Sequence, residues 1–411
     1  MRCVALRWPE MSWMLTGWMF LLCAWTGLSA SAAQAEEAAS FKEMVQKGKA
    51  KVSLRYRYET VEDPLFGDDG QASTLRTTLS LQSATYRGWS AFLEAENVLD
   101  IGLDDEHNNL GAGSLNNGVR DRPAIADPEI TEVNQAYIRY ESGTFHLNLG
   151  RQAINLGDQR FVGAVGWRQN HQTFDAARLG FKVGQTEITY AFLENVNRIF
   201  GDNLAMASHL LNVGWSGSAG KLTLYGYLLD YDRLPLLSTS TYGAEFAGKA
   251  GKNVKFHYEA EYAKQSDAGD NPRDVDAGYY HGMVGIGSAA FTGKVGLEVL
   301  EGDPNDGRFL TPLATLHKFN GWADIFLNTP STGLEDRYLQ ILGKAGAVSW
   351  TAIYHDFTSN TGNFGYGTEI DAQLVYTTRW NQAFGLKGAF YDADTLARDI
   401  DKIWLWTSYT F

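Results

Sequence analysis

The 411-residue chain is predicted to be an all-β protein, a transmembrane antiparallel barrel of about 18 strands with short periplasmic turns and long extracellular loops. Three observations lead there. Residues alternate in polarity over segments of about ten. The links between segments alternate in length. Past the N-terminal leader, no apolar run reaches the roughly 18 residues that a membrane helix needs.

The alternation assigns the strands. In 52–59, Val52, Leu54, Tyr56 and Tyr58 share one face, and Ser53, Arg55, Arg57 and Glu59 share the other. In 254–263, Val254, Phe256, Tyr258, Ala260 and Tyr262 oppose Lys255, His257, Glu259 and Glu261. A period of two places one face in an apolar medium and the other in a polar one. The same pattern predicts strands over 49–61, 72–86, 89–100, 131–141, 144–152, 173–183, 186–196, 208–217, 221–230, 240–248, 253–265, 277–287, 291–301, 334–344, 348–358, 366–379, 383–393 and 399–411.

Links such as Arg87-Gly88, Ser142-Gly143 and Gly184-Gln185 are short, and longer polar stretches fall between them, the longest near 101–130 and 302–333. This asymmetry is that of outer-membrane barrels. In lipid every backbone N–H and C=O needs an internal partner, so the sheet must close. A β-propeller is the soluble alternative, but the chain lacks the self-similar repeats of about 40 residues that it requires.

The leader places the chain in the cell. Arg2 and Arg7 precede an apolar run from Met11 to Leu28, followed by Ser29-Ala30-Ser31-Ala32-Ala33-Gln34-Ala35. A basic start, an apolar centre and small residues at an Ala-x-Ala site predict a secretory signal peptide over 1–35, with cleavage after Ala32 as the alternative. Residues 36–48 are then a short periplasmic segment, and 49–411 form the barrel in the outer membrane. Both cysteines, Cys3 and Cys23, lie in the leader, so no disulfide framework is expected.

Composition narrows the partners. The net charge of −13, with no basic stripe, excludes a nucleic-acid binder. Gly is abundant at 43 residues and Pro scarce at 9, which suits strands and tight turns. In the last segment Ile403, Leu405, Thr407, Tyr409 and Phe411 share a face. An alternating strand that ends on an aromatic residue resembles the signal read by the outer-membrane assembly machinery. Membrane lipid and lipopolysaccharide are the other expected partners, and the barrel is expected to be a monomer.

A charge on the lipid face costs roughly 2–4 kcal/mol near the midplane. Charged residues in the strands are therefore expected to face the lumen: Arg55, Arg57, Arg76, Arg139, Arg178 and Arg379, with Glu59, Glu94, Glu96, Glu259, Glu261 and Asp371. Rings of arginine select anions and grip carboxylates in a bidentate way. The same residues could instead pair across strands and stiffen a general pore, and the residues alone leave both readings open.

No His-Glu-x-x-His, phosphate-binding loop or Gly-x-Ser-x-Gly is present. No catalytic residue, metal site or cofactor is predicted. His257 beside Glu259 and Glu261 is read as a solvated luminal face, and Trp404 and Trp406 as wall fillers rather than sugar-stacking platforms. The acidic loops, such as Asp104-Asp105-Glu106, lack the spacing of a calcium loop.

One stretch resembles a known family. Ala126-Asp127-Pro128-Glu129, Asn134-Gln135-Ala136-Tyr137-Ile138-Arg139-Tyr140, Leu149-Gly150-Arg151-Gln152, Asn155-Leu156-Gly157-Asp158-Gln159-Arg160-Phe161-Val162-Gly163 and Gly166-Trp167-Arg168-Gln169-Asn170 are similar to the alginate export family of outer-membrane barrels. The dense part covers about 126–181, extended by Arg55-Tyr56-Arg57-Tyr58-Glu59 and Leu75-Arg76-Thr77. The resemblance implies an arginine-rich constriction that passes a carboxylated polysaccharide or its fragments. It adds Arg151, Arg160 and Arg168 to Arg76, Arg139 and Arg178 as path residues. By phase Arg151 falls with Phe145, Leu147 and Leu149, so it reaches the lumen only if Gly150 marks a bulge or the strand ends there.

The expected function is a passive outer-membrane channel for anionic, carboxylated saccharides. A general porin without anion preference and a non-transporting barrel acting through its loops, as adhesin or anchor, are the alternatives.

Overall fold

A computed structural model describes residues 37–103, 105–288, 290–303 and 307–411. The expected signal peptide lies outside these residues. A short helix, α1 (Phe41–Gln46), precedes β1 (Lys49–Glu62), β2 (Gly70–Gln82), β3 (Trp89–Asp100), β4 (Ile130–Ser142), β5 (Phe145–Gln152) and β6 (Thr173–Val183). The chain continues through β7 (Thr186–Asn197), β8 (Asn203–Gly217), β9 (Gly220–Leu229), β10 (Thr239–Ala250), β11 (Lys255–Asp267) and β12 (Asp276–Gly287). It ends with β13 (Phe291–Leu300), β14 (Leu334–Ala345), β15 (Val348–Thr358), β16 (Gly365–Thr377), β17 (Ala383–Ala393) and β18 (Ile400–Thr410).

Each strand pairs antiparallel with its sequence neighbours, and β1 pairs with β18 from Ser53↔Thr410 to Glu62↔Asp401. This last ladder closes the 18-stranded sheet. Closure satisfies the backbone groups that an open edge would leave bare in lipid.

Register sorts the faces, because residues directly opposite each other in a ladder share a face. Arg55 lies opposite Arg76 and Ser408, and Arg57 opposite Thr74 and Trp406. All of these point inward. Leu79, Leu224, Val284, Leu339 and Ile370 point outward and are exposed, as a lipid-facing wall requires. Near the short-turn ends of β3–β6 the outer face carries a belt of rings. Trp89 and Tyr140 are 4.9 Å apart, Tyr140 and Phe145 6.3 Å, and Phe145 and Phe181 5.1 Å. Such girdles sit at the membrane–water boundary.

The short turns follow from local chemistry. At the β2–β3 turn Arg87 and Gly88 both take positive φ, 51° and 82°. A Cβ on Gly88 would lie 2.6 Å from the Glu141 carbonyl oxygen, so glycine is required there. Two boundaries differ from the sequence reading by more than two residues. β2 stops at Gln82 rather than near 86, because the Ala84 N–H bonds to Met44 of α1 and Thr85 bridges Glu37. β8 begins at Asn203, five residues early, because a register shift between Leu193 and Asn195 lets β7 pair onward to Asn203.

The face assignment has a stability consequence. Leu339→Arg, on the lipid face midway along β14, is expected to destabilise the barrel by about 2–4 kcal/mol. The denaturant midpoint of the heat-modifiable folded band reads this, and Leu339→Ile should leave it nearly unchanged.

Candidate functional site: a lumen crossed by loops

Two loops turn into the barrel. Residues 153–172 link β5 to β6, and residues 301–333 link β13 to β14. Ile154, Val162, Phe309 and Leu313 are fully buried in one cluster with inward-facing Phe174, Leu193, Tyr279 and Tyr391. The loops also bind each other. Val162 bridges Leu313, the Gly163 N–H donates to the Leu313 carbonyl at 2.8 Å, and the Thr315 N–H donates to the Gln159 carbonyl at 3.1 Å. A Cβ on Gly163 would stand 2.1 Å from Thr315 Oγ1, so only glycine permits this crossing.

On the β1–β2 side the contacts are polar. Arg55 donates to the carbonyls of Gly166 at 3.0 Å, Trp167 at 3.3 Å and Arg168, and its Nε donates to Gln169 Oε1 at 2.6 Å. Three successive carbonyls without a strand partner thus find one guanidinium, whose planar fork of donors suits them. Arg57 donates to the Trp167 carbonyl at 2.6 Å and pairs with Asp127. Asp127 belongs to a third loop, between β3 and β4, and also accepts the Gln169 N–H at 2.8 Å. Arg76 donates to the Gln169 carbonyl at 3.2 Å and to His171 Nε2 at 2.5 Å. Burial, reinforced by Arg76 and Arg55, holds His171 well below the ordinary histidine range, so the ring is neutral and can accept.

The loop arginines complete the lock. Arg168 pairs with Glu59 of β1 at 3.0 Å and with Asp324 of the second loop at 3.2 Å. Asp324 also accepts from Lys402 of β18 at 3.0 Å and from His317 Nδ1 at 2.7 Å. Burial pushes His317 down to about 3 against the pull of Asp324. The neutral ring therefore donates through Nδ1 and accepts from Lys387 Nζ at Nε2, 2.7 Å away. The Lys387 ammonium lies 4.1 Å from the Trp167 ring centre and 3.7 Å from that of Trp322, a cation–π arrangement. Arg160 pairs with Glu298 of β13 at 2.7 Å.

The other sequence-predicted path residues divide as follows. Glu94 and the buried Glu96 face the lumen on β3 and accept from Asn134 and Gln135. Glu259 faces it on β11, 3.3 Å from His281. Arg139, Asn148 and Arg178 lie directly opposite one another across β4, β5 and β6. Two assignments are corrected. Arg151 is on the outer face: Gly150 stays in register with Tyr137 and Ala176 without a bulge, and Arg151 pairs with Asp175 at 3.1 Å. Arg379 is exposed in the periplasmic turn, because β16 ends at Thr377 and Thr378 bonds across the turn to Gln382.

Sequence reasoning missed Asp324, His317, Trp322 and Lys387. The inward phase of Lys387 and Lys402 was a usable signal. Asp324 offered none, since its partners come together only when a loop folds inward. Trp404, fully buried and 5.7 Å from Trp167, is a wall filler.

A closed barrel of 18 strands with short turns at one end, inward-folded loops and a polar inner wall defines an outer-membrane porin-type protein. The chain belongs to the Alginate export family, whose match covers residues 49–305. None of the curated proteins matches it. Among solved structures, Pseudomonas aeruginosa OccK9 (OpdG) superposes with a TM-score of 0.71 at 12% identity, over 90% of this chain and 99% of its own. Pseudomonas aeruginosa OccK8 (OprE) gives 0.70 at 13%, over 90% and 99%. A BenF-like porin from Pseudomonas fluorescens gives 0.70 at 11%, over 90% and 99%. At such identities the likeness is one of fold.

The lock makes two predictions. Asp324→Asn strips Arg168 and Lys402 of a buried counter-charge, which costs about 3–5 kcal/mol when one partner is removed. Single-channel records should show a larger, noisier conductance, and an unchanged trace would refute the lock. The Asp324 carboxyl lies well below the ordinary aspartate range: burial would raise it, but the hydrogen bond from the neutral His317 ring and the charges of Lys402 and Arg168 outweigh that effect. A depressed carboxylate stabilises fully above its unfolded pKa of about 3.9 and loses this as pH falls through the folded value. The contribution of Asp324, read as the difference in denaturant midpoint between the native chain and Asp324→Asn, should therefore stay constant from about pH 8 to about pH 5.

Proposed function

We propose that this barrel is a passive outer-membrane channel for anionic solutes, carboxylated saccharides above all. The observation that carries the reading is the row Arg139–Asn148–Arg178 across three neighbouring strands. Adjacent strands are roughly 4.8 Å apart, so the row sets the backbones of two arginines about 10 Å apart on either side of an asparagine, in the periplasmic third of the wall, with Arg139 also 3.4 Å from Glu141. Such a fork suits a carboxylate or a pair of them. Arg139 is partly exposed, while Arg178 is nearly buried.

Inward folding of 153–172 and 309–326 favours a narrow, selective path over a wide one. It also removes these two loops from the cell surface, where an adhesin would need them. A pore without anion preference draws on Glu245, Glu259 and Glu261, which face the lumen with partial exposure. A planar bilayer separates the two readings. Under a KCl gradient the reversal potential should indicate anion selectivity, and added oligouronate should block the current. Charge-assisted hydrogen bonds contribute about 1.5–3 kcal/mol, so Arg139→Ala and Arg178→Ala should each weaken the block by roughly ten- to a hundredfold. Cation-selective current indifferent to oligouronate would leave the general pore.

A further inference from the structure

We propose that α1 is an interfacial anchor that seats Phe41 and Val45 in the periplasmic leaflet of the outer membrane. The helix has only six residues, yet both its ends are fixed. Ser40 Oγ accepts the Glu43 N–H at 3.2 Å, and the Glu43 carboxylate accepts the Ala39 N–H at 2.6 Å. This reciprocal cap orders a segment too short to be stable alone. The barrel grips it at both flanks. The Ala38 N–H donates to the Thr85 carbonyl at 2.7 Å, and the Ala84 N–H donates to the Met44 carbonyl at 3.0 Å.

Met44 is the side chain α1 buries, against Ala38 and Ala84, with Tyr86 and Ala91 packed alongside. Ala91 lies opposite Ile138, which is exposed on the lipid-facing wall. The helix therefore docks on the lipid side of the rim. Phe41 and Val45, one turn apart and thus neighbours on one flank, are left 70% and 62% exposed. Two large apolar side chains held rigidly outward would be unfavourable in water.

Tyr86, packed against the Met44 cluster, bridges Trp89 and so joins α1 to the aromatic belt of Trp89, Tyr140, Phe145 and Phe181, which marks the boundary on the same side of the barrel. Cations flank it. Lys42 is exposed beside Phe41, and Arg87 stacks 5.2 Å over Tyr86. An apolar pair beside cations, level with an aromatic girdle, matches a phospholipid headgroup boundary. A protein partner or a second barrel would have no need of that level.

The test uses the full chain carrying Cys3→Ser and Cys23→Ser, with a single thiol introduced as Val45→Cys or, for comparison, Gln46→Cys. Each thiol is labelled with a polarity-sensitive fluorophore, and the barrels are placed one per lipid nanodisc. Heat-modifiable migration first shows that each variant is folded. The expected result is blue-shifted emission at position 45, quenched by headgroup-proximal spin-labelled phospholipid at least threefold more than at position 46. Water-like emission at both positions would overturn the proposal. So would shielding that appears only in discs holding two barrels, which would make the face a contact between copies.

Discussion

A guanidinium has five donors and no acceptor, and inside a barrel it must find oxygen. Arg55, Arg57 and Arg168 find it in loop carbonyls and in Glu59, Asp127 and Asp324. Remove these bonds and loop 153–172 has buried carbonyls without partners, the β1–β2 wall has uncompensated charge, and the second loop loses its attachment through Asp324. The inward seating of both loops, the neutral state of His317 and the placement of Lys387 among tryptophans all presuppose that network. It is an internal scaffold made of the same residue type that would attract a substrate anion.

This double use of arginine explains what was legible in the sequence. Strand phase follows from the lipid: a leucine at 339 and an arginine at 55 each have one tolerable side, so 18 strands could be read from alternation alone. The alternation between short and long links followed as readily. Arg379 was misplaced because alternation persists for two residues beyond the point where the backbone turns. Arg151 kept its outward phase, and Asp175 beside it supplies the partner that makes an outward charge tolerable near the rim.

The loops were harder to read, and the reason is physical. A strand is recognised by local period, but an inward-folded loop is held by partners a hundred residues away, as Arg55 is by Gln169. The stretch 158–170 stood out by family resemblance, not by pattern. Its place in the lumen now accounts for its residues: Gly163 for the close crossing, Arg160 and Arg168 for ion pairs to β13 and β1, and Gln169 as a bridge among Arg55, Thr74 and Asp127. The arginines singled out by the resemblance therefore divide into a group that holds the inward-folded loops and a pair, Arg139 and Arg178, that lies across β4–β6 nearer the short-turn end.

The bridge between Val162 and Leu313 has a temporal consequence. Two loops joined by backbone bonds, and by Thr315 Oγ1 on Gln159 at 2.8 Å, form one mechanical body. Neither loop swings aside alone without stranding the other's buried amides. Fluctuations of the aperture should then be concerted jumps between discrete levels rather than graded flicker, and their dwell times should reflect the rupture of a shared seam.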